Sequence, residues 1–159
     1  MAMRDVILVA VVLFTFGMAF FVINFVGNTM NTNLVAVATI NESDAAVNAF
    51  GSMADTVDRL DYVLFALFLG LVLALIVTAW FVGGYPIFMF IYFLVIVVGV
   101  VISAILANVW ESVTSEVVFG ATIANFPITN NLISNLPIYV AVVGFIGIVV
   151  MFAKPGGEQ

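Results

Sequence analysis

The side chains that could do chemistry in this chain are few, and most are acids and amides. Nine Asp and Glu residues stand against three Lys and Arg, with no His and no Cys, for a formal charge of −6. Ser103 is the one serine inside an apolar run that could be read as a nucleophile. A serine needs a neighbouring base to become nucleophilic, and neither His nor Lys stands beside it in the sequence. Without His the chain also lacks the usual near-neutral acid–base group and the commonest metal ligand, and without Cys it has no thiolate chemistry. No phosphate loop, His–Glu metal motif or paired intramembrane aspartates can be found. The expectation is a protein that is not an enzyme, with no cofactor and no metal.

Two groups of polar residues remain. After Ser43 or Asp44, either of which can cap a helix, Asn48, Ser52, Asp55, Asp58, Arg59 and Asp61 form one face of a segment whose opposite face is apolar. They read as a solvated face, or more sharply as a site for a cation or a partner. Asn125, Asn130, Asn131 and Asn135 lie in a second polar stretch, residues 108–136. That stretch reads as an interfacial connector, with a re-entrant segment lining a polar cavity as the sharper alternative. Inside the apolar runs stand Thr15, Asn24, Thr78 and Ser103, read as helix–helix or backbone hydrogen-bonding groups. With only Arg4, Arg59 and Lys154 as cations, the chain lacks the basic footprint of nucleic-acid binding.

What positions these residues is set by hydropathy. Of the 159 residues, 65% are hydrophobic and 8% charged, where soluble domains are nearer half and a quarter. Mean hydropathy is +1.34. Residues 6–26, 62–82 and 87–107 are apolar runs long enough to cross about 30 Å of hydrocarbon. Residues 138–153 form a shorter fourth. The first run exceeds the apolar region of a signal peptide, usually about 7–15 residues, so a retained anchor is expected. Residues 27–43 have no clear period and read as a loop.

Residues 44–61 carry a helical stripe of Val47, Phe50, Met53, Val57 and Leu60, expected to continue unbroken into 62–82 and to dock a partner. Gly83-Gly84-Tyr85 then permits a tight turn, and Pro86 suits the first turn of the next helix. Small residues recur at four-residue spacing as Ala66, Gly70, Ala74 and Thr78 before the turn, and as Gly99, Ser103 and Ala107 after it. An antiparallel hairpin would set Ala66 opposite Ser103 and Gly70 opposite Gly99. Such small-residue faces let membrane helices approach closely. Asn125-Phe126-Pro127-Ile128 and Asn135-Leu136-Pro137-Ile138 are near-copies, each fit to start a helix. Ala141, Gly144 and Gly147 give the last run a small face.

The fold expected is an all-α integral membrane protein, one domain of about four transmembrane helices around a tight hairpin with a long amphipathic extension. Four spans place both termini on one side. Arg4 and Lys154 fall there, against Arg59 on the other, so the termini are expected inside. Trp80 and Tyr85 would mark one interface, and Tyr62, Trp110 and Tyr139 the other.

The lone anchor, acidic helix, Gly-Gly-Tyr-Pro hairpin, twin Asn-x-Pro-Ile segments and Lys-Pro-Gly-Gly end resemble the small integral proteins in the internal membrane of tailless icosahedral viruses. The resemblance implies a structural protein of the virion membrane whose acidic side meets capsid proteins. More broadly, the residues point to a structural subunit of a membrane assembly, partnered by lipid and by copies of itself or other subunits. The alternatives are a holin-like pore and an uncoupled channel or transporter subunit using residues 125–135.

Overall fold

The computed structural model describes residues 2–37, 42–82 and 86–153. Every element among them is helical: α1 (Ala2–Val35), α2 (Asp44–Asp58), α3 (Leu60–Val82), α4 (Pro86–Thr114), a 3-10 turn (Val117–Phe119), α5 (Gly120–Ala124), α6 (Pro127–Ser134) and α7 (Leu136–Ala153). Four stretches are long and apolar enough to cross a membrane: Asp5–Val35, Asp44–Phe81, Met89–Thr114 and Leu136–Ala153. The 83–85 turn, the 38–41 segment and Lys154 with the terminator at 155–157 lie outside the described residues.

The four long helices form a bundle in which α1 and α7 each pack on both α3 and α4. α3 and α4 therefore sit on one diagonal and scarcely touch, although only residues 83–85 separate them. This overturns the hairpin pairing expected from small-residue spacing. On α3 the inward face is Leu64, Leu75 and Ala79, with Leu67, Phe68 and Leu71 beside them. Ala66, Gly70 and Ala74 face outward, Thr78 is half-buried, and no atom lies near the place a Cβ on Gly70 would take. Gly99, Ser103 and Ala107 on α4 are buried. The neighbours of Gly99 are Val6 and Ile7 of α1 and Val140 of α7. Large side chains gain more dispersion contacts across a wide four-helix centre. Small residues are required only where two backbones converge.

That convergence is between α4 and α7. A Cβ on Gly144 would come within 2.7 Å of Ile96, and one on Gly147 within 2.5 Å of the Tyr92 hydroxyl. The two glycines admit the two large side chains, and this antiparallel seam is the most extensive in the molecule.

Two further expectations are corrected. Residues 27–35 are not a loop but the end of α1, a helix of 34 residues. The Thr29 and Thr32 hydroxyls donate to the carbonyls of Phe25 and Asn28, and α2 lies antiparallel along this extension. The stripe expected to dock a partner is thus largely spent inside the chain: Val57 is buried over Gly27, Val47, Phe50 and Leu60 are half-buried, and Met53 remains 52% exposed. Ser43 caps α2 by accepting from the Ala46 amide. The run from α2 into α3 is continuous except at Arg59, where a single residue leaves the helix.

Candidate functional site: a polar clamp at one end of the bundle

α7 is the shortest long helix, 18 residues, or about 27 Å at the standard rise. At its start the bundle would be left open between α1, α3 and α4. The segment expected to be an interfacial connector fills that space. α6 packs on all four long helices, with Thr129, Leu132 and Ile133 buried. Ile133 reaches α1 where Gly17 leaves room: a Cβ there would collide with the Ile133 side chain, and Leu64 of α3 is also in contact range.

Both Asn-x-Pro-Ile segments start helices, Pro127 at the first position of α6 and Pro137 in the first turn of α7. Phe126 occupies the N-cap of α6 and offers no side-chain acceptor. The acceptor comes from α3 instead. Asp61 Oδ2 accepts from the Ile128 amide at 3.0 Å and Oδ1 from the Thr129 amide at 2.6 Å. Asp61 is only 3% exposed, so it does not belong to the solvated face assigned to it from sequence. A buried acid is costly unless hydrogen-bonded. Here it takes up donors that a helix start leaves orphaned, at the end where the helix dipole favours negative charge.

Three more contacts fasten the same region. Trp110, fully buried, donates from Nε1 to Asn130 Oδ1 at 2.9 Å. It is a core residue and not the interface anchor expected from sequence. Tyr139 donates its hydroxyl to Asn131 Oδ1 at 3.0 Å. Asn24 of α1, also fully buried, donates to Asp58 Oδ1 at 3.1 Å and accepts from Asn28 at 2.8 Å. Around them Phe21 and Phe25 of α1 meet Phe119, and Phe21 meets Trp110, with ring centres 4.9–5.3 Å apart. These aromatic contacts tie the 3-10 turn to α1. α4 itself ends at Thr114, just before that turn.

The arrangement holds an inserted helix in place. Asn130 and Asn131, the residues a polar channel would use, accept hydrogen bonds from the buried Trp110 and the half-buried Tyr139. Thr15, Thr78 and Ser103 turn their hydroxyls back to the carbonyls of Val11, Ala74 and Val100. Among the described residues no group of three or more acids gathers as a metal site.

The signal for the clamp was present in part. A helix start with Pro at its first position and Phe at its cap has no acceptor of its own, so one must come from elsewhere. Which acid supplies it depends on the bundle arrangement, which spacing does not give. Comparison with known protein families, with characterised proteins and with solved structures finds no match for the chain.

Proposed function

We propose that this chain is a structural, membrane-embedded subunit of a larger membrane-bound assembly. The observation that carries this reading is the clamped insertion of α6, with its buried Asp61 cap, in a bundle that turns most of its apolar surface outward. Only 22–33% of residues in an apolar 18-residue window of each of the four stretches are buried within the chain. Exposed residues such as Phe81, Phe90, Phe145 and Phe152 need lipid or another apolar surface around them. α6 packs on all four long helices at the clamped end, and the Asn130 and Asn131 side-chain oxygens are engaged in hydrogen bonds, so the reading favours architecture over flux.

In the version that the sequence resemblance suggests, the bilayer is that of a virion, the termini lie on its inner side, and the end carrying α2 meets a protein shell. Acids gather at that end. Asp44, Asp55, Glu111 and Glu116 are exposed there, so a basic partner surface would complement it.

The test is gentle detergent extraction followed by native sizing and identification of what co-purifies. The proposal expects a defined oligomer or a stoichiometric complex. A lone monomer whose liposomes leak ions would instead support the pore or channel reading and end this one.

A further inference from the structure

Where α6 crosses between α3 and α7, a groove of about 290 Å3 opens on the side of the bundle. Ligand clefts usually begin near 300 Å3. Phe65, Phe68, Ile128, Leu132 and Tyr139 make its walls, and Asn131 is its polar member. Phe68 and Tyr139 meet edge to face, ring centres 5.5 Å apart, which stiffens the wall. The Tyr139 hydroxyl occupies Asn131 Oδ1, so the amide is held with its Nδ2 hydrogens left as donors. Beyond Phe68 and Tyr139 the seam between α3 and α7 continues with Val72 and Val143, both half-buried.

The lining therefore has an apolar track and a donor at one end. It contains no cation, and behind Ile128 stands Asp61, which accepts from the Ile128 amide. An anionic headgroup would meet an acid and no counter-charge. The geometry points to a site for one zwitterionic glycerophospholipid, its ester carbonyl accepting from Asn131 Nδ2 and an acyl chain lying along the α3–α7 seam. The site requires only that the bundle sit in a bilayer, so it stands or falls separately from the structural-subunit reading.

The experiment measures lipid carried by the full chain after exchange into lipid-free detergent. Wild type is expected to retain phospholipid in stoichiometric amount, whereas Asn131→Leu, which removes the donor, and Ile128→Trp, which fills the groove, are expected to lose it. Helix content by circular dichroism should stay unchanged in both. Added dioleoylphosphatidylcholine is expected to raise the unfolding temperature of delipidated wild type, and dioleoylphosphatidylglycerol to raise it less. Equal retention by all three chains, or a wild type that keeps no phospholipid and gains no stability from either lipid, overturns the site. A larger rise with phosphatidylglycerol overturns the zwitterionic assignment.

Discussion

Asp61 shows how far one side chain can act from its own helix. Two hydrogen bonds from backbone amides to a buried carboxylate each contribute about 1.5–3 kcal/mol when counted against an unsatisfied partner. Asp61→Ala is therefore expected to destabilise the bundle by roughly 3–6 kcal/mol, and Asp61→Asn, which keeps one acceptor, by less. Both would be read from unfolding midpoints in detergent, with hydrogen exchange at Ile128 and Thr129 speeding up. Thr129 offers a contrasting case: its hydroxyl is buried without a partner. Thr129→Val keeps the shape and removes an unsatisfied group, so it is expected to be neutral or stabilising by about 1 kcal/mol. Glycines divide the same way. Gly17→Leu should drive Ile133 out and cost about 1–3 kcal/mol or more, while Gly70→Leu should leave stability unchanged because nothing lies near it. The acids of residues 44–61 looked alike in the sequence. Asp61 differs only because α6 arrives beside it, a contact between residues far apart in the chain.

At the scale of elements, the sequence carried boundaries better than neighbours. Hydropathy and the two prolines marked where α3, α4, α6 and α7 begin or run, because those signals are local. Residues 27–35 are helical although their Asn and Thr residues show no period, and α2 packed alongside is what covers that length of α1. The separation of α3 from α4 is hidden in the sequence for a different reason. In an apolar solvent a small face and a large face are equally comfortable outside, so spacing cannot say which one turns inward. The absence of native cysteine allows a direct check. Gly99→Cys with Val140→Cys should cross-link readily, and Gly70→Cys with Gly99→Cys should not. The reverse pattern would restore the hairpin pairing and remove the bundle described above.

For the whole molecule, the arrangement of α1 and α2 has a consequence of its own. α1 spans about 51 Å, some 20 Å more than a bilayer's hydrocarbon, and α2 braces the surplus. Inserting one heptad into both helices at matched positions should thicken the protein layer on a supported bilayer by about 10 Å, measurable by neutron reflectometry. No thickening would mean that the pair lies flat. An upright, doubled strut of fixed height behaves as a spacer: it sets the gap between headgroups and whatever rests upon it. Any layer assembled on many such chains would inherit that distance, and so its radius, from the length of two helices.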